Sequence, residues 1–434
     1  MTPHQIRKLE RELDAYIDEL TEGMGRPERR AAMGLYLTGL LLDGERKSIE
    51  PMAARLVDEV SEVEGMRQRL QQCVSVSKWA EAELFRRLGA KVDAELPGVE
   101  ALVIDDTGFA KKGEHSVGVA RQYSGTLGRI DNCQVATSLH LAGERGSACI
   151  GLRLYLPEEW VNDRERREKA GVPDDVEFAP KWQLALRLVD EALAAGVSKH
   201  IVLADSGYGD TSDFRNGLRE RRLDYAVGVH HATKVWRPGT KFVVPTKTSV
   251  KGPPIRNAQA VDGAAVSIAE LSVELKYRTV TWREGTRGKQ SSRFAAARVH
   301  TAHRHTTGAA PGPEEWLLCE WPSTEEAPTK HYLLSLPAST SMRELVRVAK
   351  LRWRVERDYQ DLKGEVGLDH FEGRTWTGFH HHAALCAAAH AFLALRRALF
   401  PPEPSALDVA DGAAPPAGRR AAAATRVPAM PASA

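Results

Sequence analysis

The stretch Lys350-Leu-Arg-Trp-Arg-Val-Glu-Arg-Asp-Tyr-Gln-Asp-Leu-Lys363 contains neither glycine nor proline. Leu351, Val355, Tyr359 and Leu362 recur at helical spacing, which predicts one amphipathic helix. Arg352, Glu356 and Lys363 then stand at i, i+4 and i+11, on or near one face. One acid held between two cations suits a site where a metal-binding carboxylate meets phosphate. It equally suits a surface helix laced with ion pairs. Two upstream stretches favour the site. The apolar runs Ala101-Leu-Val-Ile-Asp-Asp106 and His200-Ile-Val-Leu-Ala-Asp205 each end in aspartate.

The chain around these runs alternates in texture. From Val99 to Asp106, Ser116 to Gln122 and Cys133 to Leu141 it reads as strand, with glycines at the turns. Lys181 to Ala195 and Thr211 to Arg221 read as helices, Ile201 to Ala204 and Asp224 to Val229 as strands. Strands followed by alternating helix and strand predict an α/β fold with a mixed sheet. In such sheets chemistry gathers at strand ends, where the aspartates fall. Residues 1–97 read as helical, with Leu9, Leu13, Tyr16, Ile17 and Leu20 as the first apolar stripe and arginines such as Arg26, Arg29, Arg67 and Arg86 on the surface. Residues 98–229 form a first part of the core and 330–398 a second part with the Glu-bearing helix. Between them, 230–329 is a β-rich insertion. From His230 to Thr306 it carries 14 Lys and Arg against 4 Asp and Glu, a local excess of ten positive charges. Residues 399–434 are rich in alanine and proline and read as a disordered tail.

Bulk properties exclude several classes. The 434 residues suffice for two or three domains, and the 42% hydrophobic content is that of an ordinary globular protein. A net charge of +2 places any DNA affinity in local patches. Five scattered cysteines without a C-x-x-C pair argue for a reducing compartment, without disulfide framework or zinc site. No signal peptide or membrane span is expected. The Gly108–Gly118 segment lacks the G-x4-G-K-[ST] order, so no nucleotide cofactor is expected. His380-His-His382 points in three directions on a helix and is not read as a metal site.

Two strand-end aspartates followed by a helix-borne glutamate resemble the triad of DDE-type transposases of bacterial insertion sequences. Arg352, Glu356 and Lys363 fit the Tyr-x2-Arg-x3-Glu-x6-Lys signature of one large branch, with Ala349 where the tyrosine would stand. Asp105-Asp-Thr-Gly-Phe109, Ala120-Arg-Gln-Tyr123, Ala204-Asp-Ser-Gly-Tyr-Gly209 and Phe379-His-His-His382 are similar to the insertion-sequence seven-hundred-one group, relatives of the insertion-sequence four group. The resemblance runs from roughly residue 30 to 395.

It implies a ribonuclease-H-like catalytic core with a β-rich insertion and an N-terminal helical domain that binds the element's ends. It also implies cutting of those ends and joining of 3′-hydroxyls to target DNA. Two Mg²⁺ ions, with Mn²⁺ as a substitute, would be held by Asp106, Asp205 and Glu356. Asp105 is the alternative first ligand, because a buried strand does not choose between neighbours; the family motif favours the acid directly before Thr107. Arg352 and Lys363 would touch phosphates. Trp282 or Trp236 would stack on a flipped base, or else pack in the sheet. Arg283, Arg287 and Lys289 in the insertion, with Lys111 and Lys112 after the first aspartates, complete the DNA contacts. The expected partners are double-stranded DNA, both terminal inverted repeats and target, and a second copy in a synapsed homodimer. The expected place is the bacterial cytoplasm, on the nucleoid. The alternatives are a domesticated, non-cutting DNA-binding protein of the same fold, or a glycoside hydrolase; the latter leaves the basic insertion unexplained.

Overall fold

A computed structural model describes residues 2–244, 259–261, 264–285, 288–302 and 311–399. The chain divides into two compact units, Met1–Lys199 with Trp353–Ala434, and His200–Arg352. The first unit opens with helices α1 (Pro3–Thr21), α2 (Pro27–Leu41), α3 (Ile49–Arg55), α4 (Val63–Ser75) and α5 (Glu81–Glu95). Thr2 and Gln5 form a capping box at α1, and the Leu9–Leu20 stripe is buried as its spacing predicts. Helix α5 has no side-chain hydrogen bond at its Ala80 N-cap, but Glu81 and Glu83 stand in its first turn. Several surface arginines are already paired: Arg67 with Glu64, and Arg86 and Arg87 with Glu83.

Four strands follow, β1 (Val99–Ala110), β2 (Ala120–Ser124), β3 (Arg129–Gly143) and β4 (Gly146–Leu154), then α6 (Glu158–Val161), α7 (Arg164–Ala170) and α8 (Lys181–Ala194). Antiparallel β3 carries β1 along one side and β2 and β4 along the other. The strand expected from Ser116 begins only at Ala120, because Gly118 turns the chain at φ +70°. The pattern did not announce β4. Its Gly151 lies against α8, where an added Cβ would stand 3.1 Å from Leu188. Close helix–sheet packing there selects a residue that weakens the strand signal.

The second unit contains β5 (Ile201–Ala204), α9 (Ser206–Gly209), α10 (Ser212–Glu220), β6 (Tyr225–Val229), β7 (Lys234–Trp236), β8 (Phe242–Val243), β9 (Gln259–Ala260), β10 (Val266–Ser267), α11 (Ile268–Ser272), β11 (Arg278–Gly285), β12 (Gly288–Thr301), β13 (Glu314–Trp321), β14 (Lys330–Leu334) and α12 (Met342–Leu351). Its main sheet runs β10-β7-β12-β13-β14-β6-β5, with β11 on β12. Only the β5–β6 pairing in this run is parallel, so the sheet is mixed, as expected.

Buried beneath this sheet, Glu315 accepts from both the Arg219 guanidinium and the Tyr225 hydroxyl. Burial pushes its pKa up, against the pull of Arg219 and Arg215. Arg219→Ala is therefore expected to destabilise this unit by roughly 3–5 kcal/mol, toward the lower end because Arg215 remains. Chemical denaturation measures it, with the milder Glu315→Gln as comparison.

The chain returns to the first unit with α13 (Trp353–Gly364) and α14 (Trp376–Leu399). The single helix expected over 350–363 is two helices. Arg352 caps α12 with right-handed backbone angles (φ −54°, ψ −27°), and α13 starts after it. No glycine or proline marks that break, so apolar spacing alone carries straight through it.

Helix α14 is apolar nearly all round and buried, as a central helix must be. Tyr16 donates to the Ala388 carbonyl at 2.8 Å. The three consecutive histidines do point apart: His380 meets Trp376 and Leu154, His381 the carbonyls of Val74 and Trp79, and His382 Tyr36 and Gly367. All five cysteines are buried, and none is joined in a disulfide. No helix among the described residues is long and apolar enough to cross a membrane. The expected tail, 399–434, lies outside the described residues beyond Leu399.

Candidate functional site

In the first unit, β1 places its two aspartates on opposite faces. Asp106 stands opposite Thr137 of β3, and Asp105 opposite Ser138. Opposed residues of an antiparallel pair share a face. The Asp106 carboxylate accepts from Thr137 Oγ1 at 3.2 Å and pairs with the Lys181 ammonium at the start of α8. Its side chain is 24% exposed, so it is held in place yet reachable. Asp105 faces the layer of α13: Ser138 Oγ, on its face, lies 2.6 Å from the Tyr359 hydroxyl. One Asp105 oxygen accepts the Asp106 amide at 2.8 Å. Thus Asp106 pairs with a cation, and Asp105 shares its face with the helix that bears Glu356.

Glu356 is exposed on α13. Behind it, Asp358 is buried against His140 and Ser147, at 2.7 and 2.5 Å. Burial alone would lower the His140 pKa, but Cys149 and Asp358 outweigh it and push it up to about 10. The His140–Asp358 contact is thus a short, buried polar pair. Lys363, two turns after Glu356, donates to the Gly108 carbonyl at 2.9 Å, two residues past Asp106. Burial pulls its pKa down. Gly108 allows this fit, since a Cβ there would collide with Ser124. Arg352 belongs to the second unit, as the cap of α12. The expectation that it shares one helix with Glu356 and Lys363 is corrected accordingly.

In the second unit, Asp205 ends β5 and caps α9, accepting the Gly207 amide at 2.9 Å. The turn after it presses onto β6, where a Cβ on Gly209 would stand 1.9 Å from the Gly228 carbonyl. The Gly-Tyr-Gly phrase after Asp205 is thus a packing requirement as well as a motif. Within either unit, no group of three or more His, Cys, Asp or Glu among the described residues lies ready to hold a metal ion. The donors still fit a hard divalent cation. Asp106 offers its carboxylate oxygens from within β1 and Asp205 from the end of β5, and Asp106 already balances a cation there.

The remaining expected DNA contacts are placed as follows. The Trp282 ring packs edge-on to Phe294 with the Lys350 ammonium 4.7 Å above it. Trp236 is buried against Phe242. Lys289 is exposed on β12; the Arg283 side chain and Arg287 lie outside the described residues. Lys111 is half-buried and donates to the Phe371 carbonyl at 3.0 Å, while Lys112 is exposed. Both line a cleft with Arg46, His115 and Arg374. Sequence reasoning missed Lys181, which no motif connects with Asp106. It also missed His140, a lone histidine in an apolar run. The charge excess of the insertion is reduced by acids beyond the counted window, such as Glu314 paired with Arg298, and Arg237 is paired with Glu274 inside it.

The chain is 30% identical over 186 residues to a protein of Microchaete diplosiphon described as "Probable transposase for insertion sequence element IS701". The match takes in 42% of this chain and 46% of that relative, so the chain spans about half of the relative's length. A family model described as "DDE superfamily endonuclease" matches residues 19–289, which include Asp105, Asp106 and Asp205 and stop short of Glu356. With more than half of its length so matched, the chain belongs to the DDE superfamily of endonucleases.

Proposed function

We propose that this endonuclease is a DNA transposase, which cuts the ends of an insertion sequence and joins the freed 3′-hydroxyls to target DNA. Endonucleases of this superfamily use divalent metal ions. We infer that here they are two Mg²⁺, replaceable by Mn²⁺, held by Asp106, Asp205 and Glu356. Bound there, they would supply an activated nucleophile and charge neutralisation at the leaving oxygen. The chain's own residues do the rest. Asp106 is held in place by Thr137 and Lys181. Lys363 stands on the backbone of β1 near a phosphate's expected path, and Arg352 adds a planar fork for phosphate. Lys111 and Lys112, with the basic insertion, hold the flanking duplex, and the N-terminal helices read the element end. Two copies would act together on paired ends, in the cytoplasm at the nucleoid. If Trp282 stacks on a flipped base, it must first give up Lys350.

The observation that carries this reading is Asp106: a partly exposed strand acid, anchored by a hydroxyl and an ammonium, in a chain of a nuclease family. The test is cleavage of a labelled element end by the purified protein, with Mg²⁺ and with chelator. Metal-dependent nicking at the element boundary is the expected result. Tight end binding without cutting under any divalent ion would favour the non-cutting, domesticated alternative.

A further inference from the structure

A carboxylate on an exposed helix face acts as a ligand only if its helix is fixed in rotation. Turning α13 by about 20° would carry a group roughly 5 Å from the axis through nearly 2 Å. A misplacement of about 1 Å can cost on the order of 10²-fold in rate. The two residues that follow Glu356 by two and three positions, Asp358 and Tyr359, are bound to the sheet in a closed ring. Asp358 Oδ2 lies 2.7 Å from His140 Nδ1. His140 Nε2 lies 2.9 Å from Ser138 Oγ, and Ser138 Oγ lies 2.6 Å from the Tyr359 hydroxyl. Ser147 of β4 donates to the other Asp358 oxygen, and His390 of α14 stands 3.9 Å from it. The ring also reaches β1, because Ser138 Oγ is 3.4 Å from the Asp105 carbonyl.

This ring is more polar than cohesion requires. His140 and Asp358 are at most 3% exposed. A buried polar or ionic pair often adds nothing to stability over apolar residues of the same shape. What it adds is direction: each bond fixes an angle, whereas the alanine-rich α14 beside it offers only smooth contact. Bonds from two successive helical residues, about 100° apart around the axis, leave α13 one rotation.

We propose that the Asp358–His140–Ser138–Tyr359 ring is a positioning device that sets the rotation of α13, and so holds the Glu356 carboxylate in register with the aspartates of β1. The proposal rests on the reading of Glu356 as a metal ligand. These are positioning residues, acting through Glu356 and touching no substrate. The test uses the full chain with Tyr359→Phe, Asp358→Asn and Glu356→Ala. Mn²⁺ binding is followed by calorimetry without DNA, and single-turnover cutting is followed across a metal titration. Tyr359→Phe and Asp358→Asn are expected to weaken metal binding, and to raise the metal concentration for half-maximal cutting, by roughly tenfold. End affinity should stay unchanged. If Asp358→Asn does not fold, Tyr359→Phe, which loses one hydroxyl, carries the test. A lowered melting temperature with unchanged metal dependence would mean a structural role only and overturn the proposal. Normal cutting by Glu356→Ala would remove the ligand reading and this proposal with it. Loss of cutting in Glu356→Ala, with wild-type metal response in the other two, would overturn positioning alone.

Discussion

Asp106→Ala, Asp205→Ala and Glu356→Ala are each expected to slow single-turnover cutting of a bound element end by at least about 10³-fold, that is by about 4 kcal/mol or more of barrier. The size of the effect follows from what a carboxylate does for a divalent ion, which no neighbouring neutral group replaces. The folded chain should tolerate each change. Asp106→Ala breaks a partly exposed pair with Lys181, about 0–1 kcal/mol. Asp205→Ala loses a capping bond to Gly207, about 1 kcal/mol. Glu356 is exposed. End binding, carried by Lys and Arg against phosphate, should persist. Asp105→Ala decides between the two β1 acids. On the reading adopted here it retains more activity than Asp106→Ala. The reverse order would transfer the ligand role to the face that Ser138 and Tyr359 occupy. Wild-type cutting by Glu356→Ala, at an unchanged melting temperature, would return α13 to a surface helix.

The elements that sequence predicted well are those whose stability is local. The α1 stripe, the α8 helix and the Ile201–Ala204 strand show their periodicity over the same residues that the structure assigns. The Asp205 run is legible for a related reason, since its apolar strand ends at the aspartate, whereas β1 runs on past Asp106 through buried Thr107 and Phe109 to Ala110 and does not end at its acid. What sequence did not show is set by distant partners. The break at Arg352 has no residue of its own to mark it. Strand β4 is diluted by small residues that admit α8. The polar face of α13 depends on His140 and Ser147, more than 200 positions away. Lys181 beside Asp106 is separated from it by 75 positions. Charge counting failed in a different way, because a window drawn at Thr306 left out the acids of β13 that answer Arg298 and Arg219.

That correction sharpens the expectation for the basic insertion. Arg298 and Arg237 are paired, and the Arg293 guanidinium lies over the Trp321 ring at 4.2 Å, so these three should matter little to DNA. Arg278 and Lys289 are exposed on the β11–β12 ribbon. Arg283 and Arg287 belong to the same stretch of sequence. Replacing Arg278, Arg283, Arg287 and Lys289 together by alanine is expected to remove two to four phosphate contacts. Each contact contributes about 0.9 to the slope of log affinity against log salt, so the slope should fall by roughly 2–4. At 0.1 M salt each such term is worth about tenfold, which predicts a loss on the order of 10²- to 10⁴-fold in affinity. Random duplex and element ends should be affected alike, because phosphate contacts carry no sequence. The measurement is fluorescence anisotropy of a labelled duplex across a salt series, with Arg298→Ala and Arg237→Ala as controls that leave the slope unchanged. A quadruple variant with the wild-type slope would mean that this ribbon faces solvent. The DNA path would then have to run over the cleft of Arg46, Lys112 and Arg374 instead.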